Sequence, residues 1–220
     1  MTPVFHDIRA LIFDFDGTLI DASIPICRSF NAALERFGAE PVEEVEIRKL
    51  IGKPLREMFP AVVPSIGPDE IEQLIDYYRE SFRPMAAALS RPMPGLKAML
   101  AHFHPNTKLG IATSRMSDGA QIILGALQVL DQFDVVIGLQ DVDNAKPHPE
   151  PVLKALDALQ TEPAHAIMVG DIPADIEAGK RAGTHTVGMV SELYPADRLR
   201  AAGADAIIHA LDELIEMVDS

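Results

Sequence analysis

Apolar positions along the chain fall into two patterns. The first is the short, nearly unbroken run: Arg9-Ala10-Leu11-Ile12-Phe13, Lys108 to Ala112, Asp134 to Gly138, Ala166 to Gly170, Thr184 to Val190, and Ala206-Ile207-Ile208. Several of these carry no polar alternation, as strands covered on both faces do. The second pattern has apolar residues three and four apart. It appears at Leu96, Met99, Leu100 and Phe103 after Pro94-Gly95, and at Ile122, Ile123, Leu127 and Leu130. It recurs at Val152, Leu153, Leu156 and Leu159 after Pro151, and at Leu211, Leu214, Ile215 and Val218. These predict helices, with Pro151 a good first-turn residue. Strand alternating with helix predicts an α/β fold with a doubly wound parallel sheet.

The alternation stops between about Ile20 and Ser90. That stretch has no convincing strand and reads as helices over Ile24 to Phe37, Val42 to Ile51, Leu55 to Phe59 and Asp69 to Phe82, with Pro60, Pro64 and Pro68 between or beside them. A helical block inserted after the first strand predicts a smaller second domain over residues 21–89. The α/β core then comprises residues 1–20 and 90–220, with Ser90 to Gly95 as the return linker. There is no internal repeat and no low-complexity segment.

Composition adds limits. The chain has 220 residues, 48% of them hydrophobic and 24% charged, enough for a sizeable core. The net charge of −14 and the absence of a Lys/Arg run argue against nucleic acid or an anionic membrane surface as partner. No apolar stretch is long enough to span a bilayer. Met1 to Leu19 lacks a basic start and is interrupted by Asp14 and Asp16, so it does not read as a signal peptide. Cys27, the only cysteine, lies among Ile24, Ile26 and Phe30 and reads as a buried, inert thiol. A lone thiol fits a reducing cytosol, so a cytoplasmic location is expected. His102 and His104 have no further ligand nearby at metal-site spacing and are expected on the surface.

Chemistry-bearing residues recur at strand ends, where open α/β sheets bind ligands. Asp14 and Asp16 lie two apart, in Asp14-Phe15-Asp16-Gly17-Thr18. Two carboxylates this close repel, so a cation or a shared proton must relieve them. That suits one as a metal-bound nucleophile and the other as a proton donor. Standing alone, the pair would be read as a solvated turn. Thr113-Ser114 follows the second core strand, a place for an anion site, although Ser114 or Ser117 would equally serve as a helix N-cap. Lys146 lies in Ala145-Lys146-Pro147-His148-Pro149-Glu150-Pro151, where three prolines stiffen the loop. An ammonium held near the Asp pair would offset phosphate charge. Gly170-Asp171-Ile172-Pro173-Ala174-Asp175 ends another strand. Its hard carboxylates suit Mg²⁺, with Asp171 the direct ligand and Asp175 in support. A helix start with Asp in its first turn explains Asp175 as well but does not require Asp171.

With these residues in place, the sequence resembles the haloacid dehalogenase-like superfamily of phosphohydrolases over essentially its whole length. The four motifs of that family match Asp14 to Thr18, Thr113, Lys146, and Gly170-Asp171 with Asp175. The helical block resembles the family's cap. Ile51-Gly52-Lys53-Pro54-Leu55, Ala112 to Met116 and Lys146 to Pro151 resemble the phosphoglycolate phosphatase and pyrophosphatase branch. The resemblance implies that Asp14 attacks phosphorus and forms an aspartyl-phosphate, and that Asp16 protonates the leaving group and then activates water. It implies that Thr113 and Lys146 hold the transferring phosphoryl group. Gly17, Thr18, Ser114, Arg115 and the cap's Lys53 are expected to contact phosphate or substrate. The metal set would be Asp14, Asp16 through its backbone carbonyl, Asp171 and Asp175, with Mg²⁺ as cofactor. Two positions depart from the pattern: Ile172, where many relatives carry Ser or Thr, and Ala22, where Ser is common.

Asp16 argues against a dehalogenase, whose relatives lack an acid at that position. A sugar phosphomutase is the nearest enzyme alternative. A phosphonate hydrolase would need a Schiff-base lysine in the cap, a role for which the context of Lys53 fits poorly. A non-catalytic phospho-acceptor module would also use an Asp cluster, a hydroxyl and a lysine, but without the inserted block. The expected partner is a small phosphorylated metabolite, with phosphoglycolate, pyrophosphate, a nucleotide and a sugar phosphate all open. The chain is expected to be a monomer or homodimer.

Overall fold

β1 (Ala10–Phe13) is fully buried and lies inside a six-stranded, all-parallel sheet of order β5-β4-β1-β6-β7-β8. The other strands are β4 (Lys108–Ala112), β5 (Val135–Ile137), β6 (Ala166–Gly170), β7 (His185–Met189) and β8 (Ala206–Ile208). The computed structural model describes residues 4–219, so residues 1–3 and 220 of the expected core lie outside it. The strand side chains divide in period two. Leu11, Phe13, Ile167 and Val169 enter one hydrophobic cluster, while Ala10, Ile12, Ala166 and Met168 enter a second on the opposite face. The second cluster is closed by Val152, Ala155 and Leu156 of α7 (Glu150–Ala158) and by Ala178 and Ala182 of α8 (Pro173–Ala182). The first takes Leu96, Met99, Leu100 and Phe103 of α5 (Leu96–Phe103), and Ala120, Ile123 and Leu124 of α6 (Ser117–Ala126). Helices on both faces explain why the strand runs lack polar alternation. The doubly wound α/β class expected from the sequence is the fold observed.

Between β1 and α5 the chain forms α1 (Ser23–Phe37), α2 (Glu44–Arg48), α3 (Leu55–Val62) and α4 (Pro68–Leu89). On α1, Ile26, Cys27, Phe30, Ala33 and Leu34 are buried at helical spacing, and the helix stops at Gly38 in the left-handed conformation (φ 87°). Phe30 stacks on Phe59 of α3 with centroids 4.4 Å apart. Cys27 is buried, as its neighbours imply, and His102 and His104 are exposed.

Several local expectations differ from the structure, among them the helix expected to carry Leu127 and Leu130, since α6 stops at Ala126 and Leu130 begins a separate 3-10 turn. α4 runs through Pro84 to Leu89 rather than ending near Phe82, because burial of Phe82 and Ala86 holds the helix past the missing N–H. The helix expected over Val42 to Ile51 shrinks to five residues. The block is entered and left through a two-stranded antiparallel ribbon, β2 (Ile20–Asp21) with β3 (Arg91–Pro92), where the sequence suggested a plain linker. The last helix is 3-10, Leu211–Glu216, and Val218 instead bridges Phe5. Leu211 and Leu214 are buried at a spacing of three, which a three-residue turn satisfies as well as an α-helix.

Candidate active site

The strand order decides what meets what. β1 is flanked by β4 and β6 in register, with Phe13 opposite Ile111 and Val169. The residues that follow these strands therefore emerge side by side at one edge of the sheet. Asp14 N–H still donates to Val169 O at 2.8 Å, so the chain is held in strand geometry up to Asp14. It then turns at Gly17 (φ 92°), whose N–H donates to Ile20 O at 2.8 Å. A β-carbon at Gly17 would lie 2.4 Å from Asp171 Oδ2, so this position needs glycine both for its conformation and for the approach of Asp171. Thr18 Oγ1, fully buried, donates to Asp171 Oδ1 at 3.0 Å.

Asp14, Asp171 and Asp175 are all buried, and one carboxylate oxygen from each lies within 4.8 Å of the others. Lys146 enters this group from the loop after β5. Its Nζ lies 2.5 Å from Asp14 Oδ1 and 2.6 Å from Asp175 Oδ1, the latter an ion contact off the direction of a good hydrogen bond. Asp175 serves two roles at once. Its Oδ2 accepts the Ile172 N–H at 3.2 Å and caps α8, while Oδ1 faces Lys146. A β-carbon at Gly170 would fall 2.2 Å from Asp175 Cβ, so that glycine makes room for the second carboxylate.

Three buried carboxylates face one lysine. Burial first, and then the charge of Asp175, push the carboxyl of Asp14 up to about 7 despite Lys146. Burial and the neighbouring Asp14 raise Asp171 well above the usual carboxylate range. Burial lowers the proton affinity of Lys146, but Asp14 and Asp175 more than reverse it, so the ammonium stays charged. The donor set is hard oxygen, carries excess negative charge and includes an oxygen of Asp175 without a well-directed partner. It fits a hard divalent cation.

The carboxylate of Asp16 faces elsewhere. It accepts two hydrogen bonds from Arg115, Nε to Oδ2 at 2.9 Å and Nη2 to Oδ1 at 2.7 Å, and both side chains are only about a tenth exposed. Thr113 is buried and its Oγ1 accepts the Arg115 N–H at 3.1 Å. Neither Ser114 nor Ser117 caps α6; Met116 occupies the N-cap and makes no side-chain bond. A cavity of about 350 Å³ opens above Asp14, Asp16, Thr113, Ser114 and Arg115, and is walled opposite by Lys53, Met58, Tyr78 and Phe82 among others. Lys146, Asp171 and Asp175 do not line it and meet it through Asp14. Lys53 is exposed at the rim. Ile172, the departure from the family pattern, packs its side chain against Gly52 (φ 98°), where a β-carbon would come within 2.9 Å. It thus joins the core to the loop that carries Lys53.

Sequence reasoning passed over Glu150. Its carboxylate accepts N–H groups of Asp143 and Asn144 at 2.9 and 3.0 Å and the side-chain amide of Asn144 at 3.0 Å, tying down the start of the Lys146 loop. These donors hold its pKa down near 2. Glu150 stands between Pro149 and Pro151 in the sequence, and its role as acceptor depends on a fold of the loop that no local pattern marks. Tyr78 and Phe82 were also missed as cavity wall, because only the packing of α4 brings them there.

Carboxylates, a hydroxyl and a lysine gathered at one edge of a parallel sheet, beneath a helical insertion, define a hydrolase of the α/β class. A family model described as haloacid dehalogenase-like hydrolase matches residues 11–189. A pyrophosphatase from Anoxybacillus flavithermus is 32% identical over 96% of this chain and 97% of its own length. A phosphoglycolate phosphatase from Aquifex aeolicus is 30% identical over 97% of this chain and 98% of its own. The solved structure of a haloacid dehalogenase-like family hydrolase from Streptococcus pneumoniae superposes with a TM-score of 0.83 at 25% identity, covering 96% of this chain and 98% of that one. The chain belongs to the haloacid dehalogenase-like hydrolases, in their phosphatase branch. Among the described residues, no helix is long and apolar enough to cross a membrane.

Proposed function

We propose that the protein is a Mg²⁺-dependent phosphatase that hydrolyses a small phosphorylated metabolite in the cytosol through an aspartyl-phosphate on Asp14. One observation carries this reading. Asp14 reaches the cavity floor joined to the Lys146–Asp171–Asp175 group, while Asp16, two residues on, is turned away from that group into the cavity. The two carboxylates thus have separate surroundings, as a nucleophile and an acid require.

In the first step an Asp14 oxygen bonds to phosphorus and the ester oxygen leaves, taking a proton from Asp16. In the second, water attacks phosphorus, gives its proton to Asp16 and releases Asp14. Thr113, Ser114 and Lys146 hold the phosphoryl oxygens. Asp14, Asp171 and the carbonyl of Asp16, with Asp175 in support, would hold Mg²⁺, which would supply positive charge against the phosphoryl group. Residues 21–89 act as a cap over the site, with Lys53 at its rim meeting the substrate. The names of the two relatives suggest phosphoglycolate and pyrophosphate as first candidates.

Asp14→Asn should lower Mg²⁺-dependent phosphate release from p-nitrophenyl phosphate by at least about 10³-fold while the variant still melts cooperatively. Wild-type turnover in that variant would remove Asp14 as nucleophile. Steady interconversion of sugar phosphates without net phosphate release would replace the phosphatase with a mutase.

A further inference from the structure

We propose that Arg115 is the receptor for a carboxylate on the leaving group, and that Asp16 occupies its place until substrate binds. The inference rests on the phosphatase reading and names the substrate class: phosphate esters whose alcohol portion carries a carboxylate near the ester oxygen.

Two cations are sheltered from water at this site, and they are divided between its two sides. Lys146 is engaged by Asp14 and Asp175, on the side of the nucleophile. Arg115 touches neither; its partner is Asp16, on the side where the leaving group departs. The other cavity cations differ. Arg56, Arg79 and Arg83 are exposed and each has a carboxylate, in Glu72 at 3.0 Å, Asp76 at 3.7 Å and Asp118 at 3.4 Å, while Lys53 stands exposed at the rim, where water weakens its hold on an anion.

The surroundings of Arg115 favour a charged partner of defined shape. Its guanidinium lies over the Phe82 ring at 4.5 Å and the Phe15 ring at 5.7 Å, next to Tyr78. Aromatic faces position the planar group without satisfying its N–H donors in the plane. The two bonds to Asp16 are a side-on bidentate pairing, the arrangement a planar carboxylate takes. Asp16 is therefore a stand-in made of the same group.

The pairing also conflicts with the work assigned to Asp16. Both of its oxygens are engaged by Arg115, and at least one must be released to serve the ester oxygen. An uncharged leaving group would break the pair and leave a guanidinium in low dielectric without a partner, which is unfavourable. A substrate carboxylate replaces Asp16 on Arg115 and frees it in the same movement. Binding of the right substrate thus delivers the acid, and a neutral one does not.

The test uses the full chain with Mg²⁺ and a matched pair of esters, phosphoglycolate and its neutral amide, 2-phosphonooxyacetamide. Wild type should favour the carboxylate in kcat/KM by roughly 10²-fold. Arg115→Gln should bring the ratio near one; comparing a ratio cancels effects on Asp16 shared by both esters. Arg115→Lys, which keeps charge but not the side-on geometry, should fall between and serves if the Gln variant does not fold. An equal ratio in wild type and variants, or no preference in wild type that still hydrolyses p-nitrophenyl phosphate, overturns the inference alone. No Mg²⁺-dependent release from any of the three esters overturns the phosphatase reading, and the inference with it.

Discussion

Adding Mg²⁺ should stabilise the protein far more at pH 8 than at pH 5. The perturbation acts on the buried group of Asp14, Asp171 and Asp175, which among the described residues pairs with one cation, Lys146. Without metal, Asp14 has its pKa raised from 3.8 to about 7, chiefly by burial. The folded chain then keeps a proton that the unfolded chain loses between those values. Stability contributed by this group is full below about pH 4 and is lost as pH rises through 7, by at most about 4 kcal/mol at 1.36 kcal/mol per unit. A bound cation removes that loss. At pH 8 and Mg²⁺ at 100 times its Kd, the gain is about 2.7 kcal/mol. For a chain of this size that raises Tm by roughly 5–10 °C. At pH 5 the metal must displace the Asp14 proton, so affinity falls by about 10²-fold and most of the gain disappears. Circular dichroism melts in EDTA and in Mg²⁺ at both pH values read this directly, with Asp14→Asn as the control in which the contrast narrows to what Asp171 contributes. A Mg²⁺ gain of equal size at pH 5 and pH 8 would refute the reasoning.

Two further substitutions probe the support of the site. Gly17→Ala places a methyl 2.4 Å from Asp171 Oδ2 at a left-handed position, and should cost about 1–3 kcal/mol in denaturant unfolding and weaken Mg²⁺ binding; unchanged Mg²⁺ titration would contradict this. Glu150→Gln leaves one acceptor oxygen for several donors at the Lys146 loop, and should lower kcat about tenfold with little change in Mg²⁺ affinity. An unaltered kcat would show that Lys146 needs no such anchor.

What the sequence disclosed follows from the range of the interactions involved. The strands were legible because burial on both faces removes polar residues from a short run, as at Ala166 to Gly170. The strand-end carboxylates were legible because each is fixed by local turns, Gly17 beside Asp16 and the α8 start beside Asp175. The Arg115–Asp16 pair was not, since it joins residues 99 apart through the packing of two loops. The passage of α4 through Pro84 was hidden for a related reason: tertiary burial of Phe82 and Ala86 overrides a local breaker. The β2–β3 ribbon was invisible because two-residue strands containing Asp21, Arg91 and Pro92 have no apolar period to detect.

The most direct test of the account separates its two chemical steps in Asp16→Asn. p-Nitrophenolate leaves without help from an acid, so the first step should survive while attack of water on the aspartyl-phosphate slows. The account predicts, in Mg²⁺, a burst of about one equivalent of p-nitrophenolate per enzyme, followed by slow turnover, with phosphate carried on the peptide containing Asp14 after acid quench. Turnover without a burst and with no phosphate on that peptide would contradict it.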